Sequence, residues 1–290
     1  MMEFRTPVDI KSPSFQIEPE DELLFLGSCF ADSIGQRFVE QQLRATVNPR
    51  GTMYNPASIL HTLQLCPELR PRVAFLTLGT NHVYRLRETG EIVDNCEKRP
   101  ARLFEEEELS VDACADYLRQ CVDVLRERRP DVHVVLTVSP IRYRKYGYHE
   151  SQLSKATLLL AIDKVISLHL SPSTLSYFPA YEIVLDELRD YRFFQPDMLH
   201  PSEQAVDYIY EQLAEHFFSN RLHEYLHEWA PLKAAIGHRP FNPDSEEYKE
   251  LMRKTRIKLE ELMKKYPQTN LSPSLIPVLK GRIENSKARY

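Results

Sequence analysis

The sequence predicts an α/β protein built on a parallel sheet covered on both faces, and three observations carry that reading. Short apolar runs alternate with amphipathic helical patterns along most of the chain. Two of the runs, Val73 to Leu78 and Val132 to Val138, are solidly apolar, as strands buried on both faces are. Three runs end in turns of small or polar residues, namely Gly27-Ser28-Cys29, Gly79-Thr80-Asn81 and Ser139-Pro140. Parallel sheets bind ligands at the carboxyl ends of their strands, so these turns mark where a site is expected.

The first strand, Leu23-Leu24-Phe25-Leu26, closes at Gly27. Phe30 to Leu43 reads as a helix, with Phe30, Ile34, Phe38 and Leu43 roughly on one face. Asn55-Pro56 opens another, since asparagine caps well and proline suits a first turn. After the strand ended by Gly79, Val83 to Val93 predicts a hairpin turning at Thr89-Gly90. The acidic run Glu105-Glu106-Glu107-Glu108 is expected to be a solvated helix face.

Ser110 caps a helix that turns Val111, Cys114, Leu118, Cys121, Val122 and Leu125 inward. Asp112 lies in its first turn, Arg126, Arg128 and Arg129 at its end, and Pro130 stops it. A strand to Val138, a helix from about Ser151 to Leu170, a strand near Leu175 to Phe178 and a helix from Pro201 to Phe218 follow. The character then changes. Residues 221–243 are rich in histidine and proline, Asp244 to Tyr266 is a charged amphipathic helix, and Gln268 to Tyr290 is a polar tail. This divides the chain into a main domain, 1–220, and a helical C-terminal extension, 221–290, expected to pack on the same domain.

Composition narrows the function classes. Hydrophobic residues are 42% and charged residues 27% of 290, which is ordinary globular usage. The net charge of −5 is spread over both signs and gives no nucleic-acid footprint. No stretch is long and apolar enough to span a bilayer. The start, Met1 to Glu20, lacks the basic head and apolar run of a secretory signal. Five cysteines, an odd number without a C-x-x-C pair, argue against a disulfide framework or a cysteine zinc site. The expectation is a cytoplasmic protein with no cofactor.

Chemistry concentrates at the predicted strand ends. A glycine lets the chain turn sharply after the first strand, and the following helix points its free N–H groups at that turn. A nucleophile at Ser28 or Cys29 gains from the helix dipole, which favours a thiolate or alkoxide. In Asp197-Met198-Leu199-His200-Pro201, a carboxylate three residues before a histidine can reach its Nδ1 and leave Nε2 free as a base. Pro201 suits a helix start, which makes His200 a candidate cap. Asn81 is a candidate oxyanion donor, and Gly51 a source of a further backbone N–H.

This order, a nucleophile after the first strand, an asparagine after a later one and a late Asp-x-x-His, resembles the SGNH (GDSL-type) hydrolase superfamily. Leu26-Gly27-Ser28-Cys29-Phe30-Ala31 matches the motif that names the GSCFA family. Gly79-Thr80-Asn81-His82-Val83-Tyr84, Tyr177-Phe178-Pro179-Ala180-Tyr181-Glu182 and His238-Arg239-Pro240-Phe241 extend the likeness over most of the chain. The resemblance implies a three-layer α/β/α sandwich with a central parallel sheet, and an esterase or acyltransferase site acting on a carbohydrate or small-molecule ester. The sequence departs from the superfamily pattern in two places. Cys29 takes the serine position of Gly-Asp-Ser and Ser28 the aspartate position, so either residue is a candidate nucleophile. His82 stands where an aspartate is usual.

Two other readings compete. His223-Glu224-Tyr225-Leu226-His227 fits H-E-x-x-H, the two histidines one helical turn apart that hold zinc in a class of hydrolases. Ala230 and Lys233 break the longer form of that pattern, and Leu222, Leu226 and Trp229 suggest a packing helix with surface histidines. The other reading is a non-catalytic ligand-binding protein, since a fold does not guarantee an activity.

Overall fold

A computed structural model describes residues 5–94, 96, 99–168 and 174–271. The expected helix end at 169–170 and most of the expected C-terminal tail lie outside these residues. The chain divides into two compact units, one formed by Met1–Gln16, Glu22–Arg37 and Ala45–Phe217, the other by Ile17–Asp21, Phe38–Arg44 and Phe218–Tyr290.

In the first unit, strands β1 (Leu23–Gly27), β2 (Ala45–Val47), β3 (Val73–Leu78), β7 (His133–Val138) and β8 (Leu175–Tyr177) form a parallel sheet. Their order is β2-β1-β3-β7-β8. The register runs Phe25 beside Phe75 and Phe75 beside Val135, so alternate residues of each strand share a face. Leu24, Leu26, Leu76, Leu78, Leu136 and Val138 pack in one apolar cluster with helices α2 (Pro56–Leu65), α3 (Val111–Arg128) and α4 (Tyr148–Leu168). Burying each such side chain contributes about 1.5–3 kcal/mol. On the other face, the α-carbon of Gly35 in α1 (Cys29–Glu40) lies against Phe25 and Val47. Beyond the short α5 (Ala180–Glu182), Asp207 of α6 (Glu203–Phe217) pairs with Arg37 of α1 at 2.8 Å, and Phe217 packs on Phe15 and Phe178. This is the three-layer α/β/α sandwich with a central parallel sheet.

Local chemistry sets the helix ends. Asn55 accepts from the Ser58 N–H at 2.9 Å and Pro56 fills the first position of α2. The carbonyls of Leu63 and Cys66 at the other end of α2 accept from the Arg128 guanidinium at 2.6 and 2.9 Å. Ser110 caps α3 through the Ala113 N–H at 3.1 Å.

A second, antiparallel sheet corrects one expectation. Its strands β4 (His82–Leu86), β5 (Ile92–Val93) and β6 (Phe104–Glu108) lie in the order β5-β4-β6. The acidic run Glu105–Glu108 is therefore strand, not helix. It pairs with β4, whose Arg85 bonds Glu107 across the ladder, and Arg87, just past the end of β4, bonds Glu105. Four consecutive glutamates carry no period in themselves; the cationic partners of Glu105 and Glu107 lie some twenty residues earlier, and that of Glu106 is Lys145, well beyond β6.

In the second unit, α7 (Asn220–Gly237) takes up most of the histidine- and proline-rich stretch, capped by Ser219 and continuous through Pro231. Leu222, Tyr225 and Trp229 are its buried face, and α8 (Glu246–Lys265) packs against it. Tyr225 meets Tyr266 edge to face at 5.0 Å and donates to the Gln41 carbonyl at 2.7 Å. Among the described residues, no helix is long and apolar enough to cross a membrane.

Candidate active site

The carboxyl ends of β1, β3 and β7 come together with the loop that follows β2. Gly27 has φ +137°, and a Cβ there would meet the Thr77 carbonyl oxygen at 2.0 Å, so only glycine lets β1 turn this close to β3. The Gly27 N–H donates to Asn48 Oδ1 at 2.9 Å, and Asn48 Nδ2 donates to Asp32 at 2.7 Å. Thr52 bonds the other Asp32 oxygen at 3.1 Å. The Tyr54 carbonyl accepts from Gly79 and Thr80, each at 2.8 Å.

The two candidate nucleophiles have different settings. Ser28 is 1% exposed, and its hydroxyl accepts from the Phe30 N–H at 3.3 Å, a local cap on α1. Cys29 is half-buried at the first position of α1, its sulfur 3.4 Å from the Tyr54 hydroxyl. The Tyr54 phenol is pushed well above its usual range, mainly by burial and then by its bond to Cys29. All five cysteines are free thiols.

Asp197 and His200 form the expected pair. His200 Nδ1 lies 2.6 Å from one Asp197 oxygen, and the other accepts from the Leu199 and His200 N–H groups at 2.8 and 3.0 Å. Those backbone bonds, and then the imidazole, hold the Asp197 carboxyl down at about 2. His200 does not cap α6 as expected; the helix begins at Glu203 and Ser202 accepts from the Ala205 N–H. His200 is instead in a tight loop closed by the Phe194–Pro201 bridge. Arg142, just beyond β7, ties that loop to the strand ends. Its N–H reaches the Leu199 carbonyl and its guanidinium the Met198 carbonyl, both at 3.1 Å. Among the described residues, no hydrogen bond joins His200 to Cys29.

The expected oxyanion donors are engaged elsewhere. The Gly51 N–H donates to the Asn48 carbonyl at 2.8 Å, closing its own turn. Asn81 is 3% exposed and its amide nitrogen donates to the Leu109 carbonyl at 2.8 Å. The Ser28 N–H is bonded to Thr77. The Cys29 N–H is the first of α1, out of reach of any carbonyl within the helix, and it faces the turn with the positive end of the dipole.

Sequence reasoning missed Lys155. It is 2% exposed, and its Nζ reaches the carbonyls of Gly79 at 2.6 Å and Ser139 at 2.8 Å. Burial lowers its pKa to about 7. On the same face of α4, Ser154 bonds the Asn81 N–H and Ser151 the Tyr143 N–H, each at 3.1 Å. The signal was present: Ser151, Ser154 and Lys155 continue the helical spacing of Leu158, Ala161, Ile162 and Val165.

His223, Glu224 and His227 are all exposed on α7. Among the described residues, no three or more His, Cys, Asp and Glu side chains are grouped to hold a metal.

The fold and these turns define a three-layer α/β protein with a helix-terminal cysteine and an Asp-His pair tied to the carboxyl ends of its strands. The chain belongs to the GSCFA family, whose model matches residues 22–72 and 68–213. The model of the GSCFA domain protein C-terminal domain matches residues 229–275. No curated protein matches the sequence.

Similar solved structures include a carbohydrate esterase family 3 protein from Talaromyces cellulolyticus, at 10% identity and TM-score 0.43, covering 71% of this chain and 98% of that one. An acetyl esterase variant with an acetate ion has 10% identity and TM-score 0.41 over 71% and 98%. A protein from Parabacteroides merdae described as a GDSL-like lipase has 14% identity and TM-score 0.42 over 70% and 99%.

Proposed function

We propose that the protein is an acyl-transfer enzyme, an esterase or O-deacetylase of a carbohydrate or small-molecule ester, with Cys29 as nucleophile. The observation that carries this reading is the Asp197–His200 pair, with Nδ1 bonded to the carboxylate at 2.6 Å and the opposite ring nitrogen left as base. Cys29 is preferred to Ser28 because it is a partly exposed residue at the helix start, whereas Ser28 is buried and its hydroxyl caps the helix. His200 takes the thiol proton, the sulfur attacks the ester carbonyl, and the carbonyl electron pair moves onto oxygen. The Cys29 N–H and the dipole of α1 stabilise that oxygen. His200 then returns the proton to the leaving alcohol, and water releases the acid from the thioester. Residues 1–220 carry the chemistry in this reading, and 221–290 are an accessory extension.

The test is hydrolysis of p-nitrophenyl acetate by wild type, Ser28→Ala, Cys29→Ala, His200→Ala and Asp197→Asn. Cys29→Ala and His200→Ala should fall to the buffer rate, Asp197→Asn should lose about 10²–10⁴-fold, and Ser28→Ala should retain turnover. Full turnover by Cys29→Ala or His200→Ala would overturn the reading.

A further inference from the structure

The side chain bonded to the Cys29 sulfur is fixed from several directions. The Tyr54 carbonyl is clamped by the N–H groups of Gly79 and Thr80, and the next residue, Asn55, caps α2. Its ring meets Tyr143 edge-on at 6.0 Å. Tyr143 stacks on Tyr146 at 5.4 Å, and Tyr146 stacks on His82 at 3.8 Å. The Tyr146 hydroxyl bonds Glu106 at the far end. Ring faces within this column cover one another, so it is a brace and not an open platform for a sugar. The brace holds one hydroxyl, that of Tyr54, 3.4 Å from Cys29 Sγ.

We propose that Tyr54 is a catalytic residue whose hydroxyl donates a hydrogen bond to Cys29 Sγ, stabilising the sulfur as an anion and aiming it for attack. The proposal rests on the reading of Cys29 as nucleophile. The thiol proton goes to His200, the sulfur keeps the electron pair that later forms the S–C bond, and Tyr54 keeps its own proton throughout. Burial and the neighbouring sulfur both disfavour ionisation of the phenol, which keeps it a donor. Other ionisable groups face this pair: Tyr143 and Asp32 of α1 act on Tyr54, and Tyr143 in turn senses Cys29 and Glu106.

Alkylation by iodoacetamide tests this without any ester substrate. The sulfur displaces iodide, and mass spectrometry locates the label on Cys29 in a Cys96→Ser background, the other three cysteines being buried. Tyr54→Phe, with unchanged melting, should slow Cys29 alkylation at pH 7 about tenfold. Alkylation at the wild-type rate would overturn the proposal. Should Tyr54→Phe fold poorly, 3-fluorotyrosine at position 54, a stronger donor of nearly the same size, should accelerate alkylation; an unchanged rate would overturn it. Failure of the nucleophile reading looks different, because Cys29→Ala would then still hydrolyse ester whatever the alkylation rates show.

Discussion

The Nζ of Lys155 lies 2.6 Å from the carbonyl oxygen of Gly79, and a second bond of 2.8 Å reaches Ser139, so one side chain joins the ends of β3 and β7. Both strand ends belong to the candidate site, and the lysine is buried, with the Tyr181 ring 5.9 Å away.

That burial makes stability depend on pH. Lys155 has its pKa lowered from 10.5 to about 7 in the folded protein. Below pH 7 both folded and unfolded chains hold the proton, and above 10.5 neither does. Between those values the unfolded chain binds a proton that the folded one does not, so stability rises with pH across the window. Relative to Lys155→Met, wild type should gain on the order of 3 kcal/mol between pH 7 and 9.5. Urea unfolding of both proteins over that range is the measurement. Parallel dependence in the two would show that Lys155 stays charged.

Gly27→Ala should be among the most damaging single changes. The new methyl would sit 2.0 Å from the Thr77 oxygen, and φ +137° is a conformation that alanine strongly disfavours. Thr77 cannot retreat, because the same oxygen accepts the Ser28 N–H at 3.1 Å. The expected cost exceeds about 3 kcal/mol, which means a drop of roughly 10 °C in Tm or no soluble protein. A Tm within 3 °C of wild type would contradict the close approach of β1 and β3.

The frame of the fold was legible because its strands are apolar runs and its helices carry local caps. Val73–Leu78 and the α2 and α3 caps at Asn55 and Ser110 were read from neighbours within a few residues. β2 escaped because Ala45–Val47 is three residues long and only partly buried. β6 escaped because the strand it pairs with, β4, lies some twenty residues earlier in the sequence. In the site, the Asp197–His200 contact followed from spacing alone. The engagement of Gly51 and Asn81 did not, since their acceptors, Asn48 and Leu109, are backbone carbonyls set by loop conformation. Tyr54 was invisible for the same reason: only folding brings it to Cys29, 25 positions away.

Arg142 holds the loop that carries the proposed base. Its guanidinium bonds the Met198 carbonyl at 3.1 Å and stacks on Tyr148 at 4.0 Å and Phe194 at 5.7 Å. Met198 has φ +60°, an uncommon conformation for a side chain of its size, so the loop needs outside support. Arg142→Ala removes that support but keeps the backbone bond to Leu199. A small displacement of His200 then costs rate more than binding, so kcat should fall about tenfold or more with KM little changed. Added guanidinium, which can occupy the vacated space between the Met198 carbonyl and the Tyr148 ring, should restore part of the loss. Undiminished kcat in Arg142→Ala would mean that the Asp197–His200 loop holds its position unaided. Loss of kcat without rescue would mean that the arginine acts through some route other than this contact.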